Sequence, residues 1–245
     1  MKKILLSLCA LSFASCSANA AFYAKGYLGN TLSSVDYEHN IETFTPTLSG
    51  TQEFRELTTG NLVTPGLAIG FGSKLNNVVS WGIELDARMQ LDKMQFKAME
   101  DVSETLLLDT GIMGFEIKNK FKVGLSGVLS FMNSFYLKAG PSFLRQSVDF
   151  SLAESDTLAK VKYSDDKDLL GVTAGAGYIF KVNRNFGIFT EYNYSYYPRK
   201  SLSSYAVGNA EFANIPAGNF ESHSGKLKIA QSEFFLGVVY STNLM

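Results

Sequence analysis

The sequence predicts an all-β chain folded as an eight-stranded antiparallel up-and-down barrel, and three observations carry that prediction. Eight segments alternate apolar and polar residues with period two, as a strand does when successive side chains point to opposite faces. No useful length of the chain shows the 3.6-residue period of an amphipathic helix. The connections between segments alternate short and long, as expected for consecutive strands joined at the two rims of one barrel.

The chain begins "MKKILLSLCALSFASCSANAAF". Lys2 and Lys3 form a basic start, Ile4 to Ala14 an apolar run, and Ala18-Asn19-Ala20 a small-x-small cleavage site. That order is the layout of a secretory signal peptide over residues 1–20, and the apolar run is too short to span a membrane as a helix. The expected mature chain is therefore a single barrel domain, residues 21–245. Cys16 offers a rival, because "FASC" is a degenerate lipoprotein box. Both cysteines, Cys9 and Cys16, lie in the leader, which excludes disulfide scaffolds and Cys-based metal sites from the mature chain. Of the 22 Lys and Arg residues two lie in the leader, so 20 face 23 Asp and Glu and the mature net charge is −3. No basic tract stands out, which argues against nucleic acid as a partner.

The first segment, "FYAKGYLGNTL", sets Phe22, Ala24 and Leu28 against Tyr23, Lys25 and Tyr27. The second sets Leu67, Ile69 and Phe71 against Gly66, Ala68, Gly70 and Gly72. The third, "SWGIELDARMQL", sets Trp81, Ile83, Leu85, Ala87, Met89 and Leu91 against Ser80, Gly82, Glu84, Asp86, Arg88 and Gln90. The fourth, from Gly111 to Phe131, sets Phe115, Ile117, Phe121, Val123 and Leu125 against Glu116, Lys118, Lys120 and Lys122. The fifth opposes Phe135, Leu137, Ala139 and Phe143 to Lys138, Gly140 and Ser142. The sixth opposes Leu170, Val172, Tyr178 and Phe180 to Gly171, Thr173, Gly175 and Gly177. The seventh opposes Phe186, Ile188, Tyr192, Tyr194 and Tyr196 to Gly187, Glu191, Asn193 and Ser195. The eighth opposes Phe234, Leu236, Val238 and Tyr240 to Gln231, Glu233 and Gly237.

Short connections fall at Lys74–Asn77, Met132–Ser134 and Asn183–Asn185, all with Asn, which tolerates turn geometry. Long polar ones fall near Ser34–Asn61, Lys97–Glu104, Ser151–Lys167 and Ser201–Gly225. That alternation is expected of a transmembrane barrel with short periplasmic turns and long extracellular loops.

The charges decide which face is inside. They lie on the polar faces, while the apolar faces over the ~10 residues nearest each short turn hold almost none. A water-filled calyx with a greasy cavity, as in lipocalins, is the rival. Aromatic residues at the ends of the apolar faces weigh against it: Trp81, Phe131, Phe135, Tyr178, Phe180, Phe186 and Tyr240 read as a lipid-facing girdle. Glycine also concentrates on the polar faces, where a narrow eight-stranded interior needs small residues. The polar faces are therefore expected to form a lumen charge network of Glu84, Asp86, Arg88, Lys118, Lys120, Lys122, Lys138 and Glu191, since buried charges persist when paired. Lys25 and Glu233 lie on polar faces too.

With these features the chain resembles the OmpA-like and opacity-protein-like eight-stranded outer membrane barrels of Gram-negative bacteria. The resemblance rests on "FYAKGYLG" after the leader, "FYLKAGPSF", "FTEYNYSY" and "FFLGVVYS". It implies an outer membrane location, outer membrane lipids and the assembly machinery as partners, and loops that contact host or environmental molecules. Such barrels usually end on an aromatic residue recognised during assembly, whereas this chain ends "YSTNLM", with Tyr240 and Leu244 in the lipid-facing register.

His39 and His223 are the only histidines, and "ESHSG" puts Glu221, His223 and Ser224 together. A Ser–His–acid hydrolase needs the serine within reach of an oriented imidazole, and adjacent strand residues point to opposite faces. No catalytic residue, metal site or cofactor is expected. The loops carry Tyr37, Phe44, Phe54, Tyr205, Phe212 and Phe220, and loops on a rigid scaffold are where binding residues tend to sit. The expected role is structural and surface-interacting, in a monomer, with a narrow diffusion channel as the alternative and a lipid-modifying enzyme as a distant third.

Overall fold

A computed structural model describes residues 20–44, 49–91, 93–99, 111–132, 134–154, 160–208 and 220–242. Residues 1–19 of the expected leader, with Cys16, and the C-terminal Leu244 and Met245 lie outside them. Among the described residues every regular element is a strand: β1 (Ala20–Phe44), β2 (Ser49–Lys74), β3 (Val79–Met89), β4 (Lys93–Met99), β5 (Gly111–Phe131), β6 (Phe135–Glu154), β7 (Lys160–Lys181), β8 (Phe186–Ser201), β9 (Tyr205–Gly208) and β10 (Phe220–Ser241). Neighbours pair antiparallel in the order β1-β2-β3-β5-β6-β7-β8-β10, and β1 pairs with β10 to close the ring. The short β4 prolongs the β3 stave along β5, and β9 prolongs the β8 stave along β10. The barrel therefore has eight staves and closes on itself through β1 and β10, which removes the unpaired backbone row that an open sheet would present along its membrane-facing part.

Two of the three short turns form as their asparagines suggest, and Asn133 of the third lies outside the described residues. Asn76 Oδ1 accepts hydrogen bonds from the amides of Val78 and Val79 at 2.8 and 2.7 Å. Asn183 Oδ1 does the same for Asn185 and Phe186, both at 2.9 Å. A side chain that bonds its own backbone a few residues on holds a turn closed without help from elsewhere.

The long connections differ from expectation. Much of Ser34–Asn61, Ser151–Lys167 and Ser201–Gly225 is strand, because β1, β2, β6, β7 and β10 continue far past the apolar band. The alternation persists there with its polarity reversed. Near the short turns the wall is apolar outside and polar inside; beyond Ser34, Val35 and Tyr37 point inward and Asp36 points outward. The inward residues Val35, Tyr37, Leu62, Ile117, Leu144, Val148, Leu169, Tyr197, Leu202, Leu227 and Ile229 form a hydrophobic core inside the upper barrel. Lipid outside selects the first pattern and water outside the second, since apolar surface is withdrawn from water wherever it can be. Tyr37, expected in a solvated loop, is thus a core residue; Phe44, Phe54, Tyr205 and Phe220 fall in strands, and Phe212 lies outside the described residues.

Two bulges interrupt the ladders. One lies between Asn119 and Phe121 of β5, opposite β6, and the other at Leu227/Ile229 of β10, opposite β8. The first changes which side chains enter the lumen.

Candidate functional site

The lumen is built from the inward faces of the staves, and in its lower half it holds charge. Glu84 is fully buried while its neighbour Leu85 is 46% exposed on the outer wall, as period-two alternation demands. Two neutral clusters stack along the axis. In the first, Lys25 lies 2.6 Å from Glu84 and 3.4 Å from Glu191, and Lys138 lies 2.9 and 2.6 Å from the same two carboxylates. Each cation thus touches both anions. The Tyr23 hydroxyl donates to Glu84 at 3.1 Å and that of Tyr136 to Glu191 at 2.7 Å.

In the second cluster Arg88 reaches Asp86 at 2.6 Å and Glu233 at 2.5 Å, and Lys122 reaches Glu233 at 2.7 Å and the Ser195 hydroxyl at 2.5 Å. The Arg88 guanidinium lies 4.7 Å from the centre of the Phe235 ring, and Lys25 lies 4.3 Å from that of Tyr136. Desolvating a lone charge costs several kcal/mol, roughly, and a set of equal cations and anions with added hydrogen bonds offsets that penalty.

Glycines make room for this interior, though chiefly for rings. Tyr23 faces Gly70 across the β1–β2 ladder, Tyr27 faces Gly66, Tyr136 faces Gly177 and Phe235 faces Gly29. At each pair a Cβ on the glycine would overlap the ring. At Gly124 it would instead overlap the Asp86 carboxylate, and at Gly175 the Asn193 amide. A large residue beside a residue with no side chain is how so narrow a barrel fills its section.

Above the charges come the buried amides Gln90, Asn119, Gln146 and Gln231, and above those the apolar core. Residues 202–204 continue the β8 stave between β7 and β10, with Leu202 turned into that core. The Leu202 amide donates to the Gly225 carbonyl at 2.7 Å, the Ser203 amide to Asp165 at 2.8 Å, and Lys167 to the Ser203 hydroxyl at 3.0 Å. Near the short-turn rim a chamber of about 40 Å³, lined by Tyr23, Lys25, Val128, Ser130 and Tyr136, lies beneath the charges. A chamber of that size would hold one or two waters.

Of the eight residues expected in the charge network, Glu84, Asp86, Arg88, Lys122, Lys138 and Glu191 lie inside and are paired as described. Lys118 and Lys120 do not. Both are exposed on the outer wall, because the β5 bulge inserts one residue and shifts the inward parity from Lys122 to Asn119 and Ile117. The signal was Asn119, a polar residue in the middle of the supposed lipid face. Lys25 and Glu233 complete the clusters; both stood on polar faces, but their strands close the ring from opposite ends of the chain. Trp81, Phe131, Phe135, Tyr178, Phe180, Phe186 and Tyr240 all lie on the outer wall towards the short-turn rim. His223 is buried on the inward face of β10 and Ser224 follows on the other face, while the side chains of His39 and Glu221 lie outside the described residues. Among the described residues no group of His, Cys, Asp and Glu could hold a metal ion.

Solved structures that the chain matches include outer membrane proteins. OprG from Pseudomonas aeruginosa shares 13% identity over 92% of this chain and 97% of its own, with a TM-score of 0.49. Ail, the attachment invasion locus protein of Yersinia pestis, solved in complex with the heparin analogue sucrose octasulfate, shares 14% over 87% and 98%, with a TM-score of 0.29. The outer membrane protease OmpT from Escherichia coli shares 8% over 90% and 96%, with a TM-score of 0.42. No curated relative matches the chain. The model of the outer membrane protein beta-barrel domain matches residues 5–241, and with that match the chain belongs to this family, as a barrel of the bacterial outer membrane.

Proposed function

We propose that this barrel is a structural and surface-contact protein of the cell envelope, which holds a rigid β-wall clear of the outer leaflet. The observation that carries the reading is the apolar core inside the upper barrel, which stiffens the wall where plain loops were expected. Binding residues on such a wall are held in place, and so lose little entropy on contact with a host or environmental molecule. The reading includes export by the cleaved leader, assembly by the envelope's insertion machinery, a monomeric state and no cofactor or catalysis. Alternation on β10 separates His223 from Ser224, which supports the non-enzymatic part. The test is attachment of a non-adherent Gram-negative strain expressing the protein, before and after surface proteolysis. Attachment abolished by trimming the upper wall is the expected result; attachment equal to that of the empty strain removes the surface role.

A narrow diffusion channel is the second reading, favoured by the lumen's hydrophilic lower half. Purified protein in planar bilayers is expected to show no steady conductance, since the apolar core fills the upper lumen. Stable ohmic openings would favour the channel instead.

A further inference from the structure

The short-turn end of the barrel differs from the rest in the sign of its charge. Below the level of Lys25, Glu84, Lys138 and Glu191 the staves comprise residues 20–24, 70–83, 126–137, 175–190 and 234–242. These carry Lys74, Lys181 and Arg184 and no Asp or Glu. The expected mature chain has 20 cations against 23 acids, so this excess of cations runs against the bias of the molecule. The cluster just above sets Lys25 and Lys138 against Glu84 and Glu191 and so cancels none of it.

Lys74 and Lys181 both stand on the inward register. Buried Thr64 and Ala68 set the inward parity of β2, which ends at Lys74, and buried Thr173 and Gly177 set that of β7, which ends at Lys181. β2 and β7 lie four staves apart in either direction around the ring, so the two lysines enter the mouth from opposite sides. They are near enough for Lys181 to feel the charge of Lys74. Ser80 of β3 is the register partner of both Lys74 and Ser130, so the two serines continue the inward row beside Lys74. Ser80 is 1% exposed, and among the described residues its hydroxyl bonds no other group. A buried hydroxyl without a partner is costly, and a concave site lined by one sign of charge draws in the opposite one. Ser130, with Ser134 and Ser241, also lines the chamber of about 40 Å³ directly inside the mouth.

We propose that the short-turn mouth binds the phosphate group of a soluble anion, held between Lys74 and Lys181 with the Ser80 and Ser130 hydroxyls as further donors. Two cations on opposite sides suit a guest with two negative charges and acceptor oxygens all round. A carboxylate offers one charge in one plane. The inward position selects a soluble phosphate over a lipid headgroup, because the β-wall itself, with Trp81 and Phe180 on its outside, stands between these lysines and the bilayer. Short turns of such barrels face the periplasm, so the ligand is met there. Binding requires no passage through the lumen, since the site lies below both charge clusters.

Solution NMR of the full-length mature protein in maltoside micelles, titrated with inorganic phosphate or with sodium chloride at equal ionic strength, tests this. Saturable shifts of the Ser80, Ser130 and Lys181 amides are expected with phosphate and not with chloride. Lys74→Gln and Lys181→Gln should each weaken binding about ten-fold, as loss of one charge-assisted hydrogen bond does. Lys74→Arg with Lys181→Arg should keep the affinity, and Lys200→Gln on the upper wall should leave it unchanged. Both rim lysines are exposed, and either Gln variant in its folded, heat-modifiable form is enough to decide. Phosphatidic acid added to the micelles is expected to leave the mouth resonances where they are. Phosphate shifts no larger than those with chloride, undiminished binding in the Gln variants, or mouth shifts from phosphatidic acid equal to those from inorganic phosphate would each overturn the proposal.

Discussion

Arg88 of β3 and Glu233 of β10, 145 residues apart in the chain, meet 2.5 Å from each other inside the barrel. The same Glu233 carboxylate holds Lys122, so one anion serves two buried cations. Glu233→Gln leaves Arg88 and Lys122 with Asp86 alone and is expected to destabilise the barrel by ~3–5 kcal/mol, the usual cost of stripping one partner from a buried pair. Urea unfolding in lipid vesicles measures it. Adding Lys122→Met restores neutrality and should recover part of the loss, because coupled partners are not additive. A loss no larger than that of an exposed charge such as Lys200 would mean that water screens the cluster.

The ring-over-glycine pairs set a second expectation. Gly70→Ala puts a methyl into the Tyr23 ring and is expected to cost ~1–3 kcal/mol through overpacking. Tyr23→Ala in the same chain should remove the clash, so that the double variant is more stable than the sum of the two single losses. Strict additivity of the pair would rule out the contact.

Orientation gives the third. Leu85, 46% exposed and on the lipid side, should tolerate other apolar residues, whereas Leu85→Arg should cost ~2–4 kcal/mol near the membrane midplane and reduce insertion. Folding yield into vesicles, followed by heat-modifiable gel migration, reports it. A Leu85→Arg chain that folds in water without detergent would contradict the lipid-facing assignment.

The fourth concerns pH and the wall above the membrane. Hydrogen bonds from Arg55 hold the Asp36 carboxyl below the usual aspartate range, and those from Lys226, with Arg199 nearby, hold Glu38 below the usual glutamate range. A carboxyl depressed in the folded state contributes stability above its unfolded pKa and loses it as pH falls through the folded one. Hydrogen exchange in the upper β1–β2 hairpin is therefore expected to accelerate, after correction for intrinsic rates, once pH drops below the ordinary carboxylate range. The two carboxyls are largely covered but their partners Arg55, Arg199 and Lys226 are exposed, so solvent screens the pairs and the effect should be modest and should shrink in high salt. Asp36→Asn with Glu38→Gln should flatten the profile, and an unchanged profile would show that these pairs contribute nothing.

The alternation itself was enough to identify strands, their number and the lipid-facing side. Each of those follows from one local rule, that neighbours along a strand point to opposite faces of the wall. Glu84 inside and Leu85 outside could be read from two adjacent letters. The short turns were legible for the same reason, since Asn76 and Asn183 bond their own backbone and need no distant partner.

What tertiary structure decided was everything that depends on a partner far away in the chain or on the medium outside the wall. The β5 bulge defeats a strictly periodic reading, because one extra residue flips the parity beyond it and only Asn119 marks it in the pattern; Lys118 and Lys120 left the lumen and Ile117 entered it. Lys25 and Glu233 joined the charge clusters only when closure of β1 on β10 brought the chain's two ends together. The polar stretches past Ser34 read as loops because alternation was weighed against lipid throughout. Once the wall leaves the membrane the outside is water, the same period-two pattern packs its apolar side inward, and Val35, Tyr37 and Leu227 become a core.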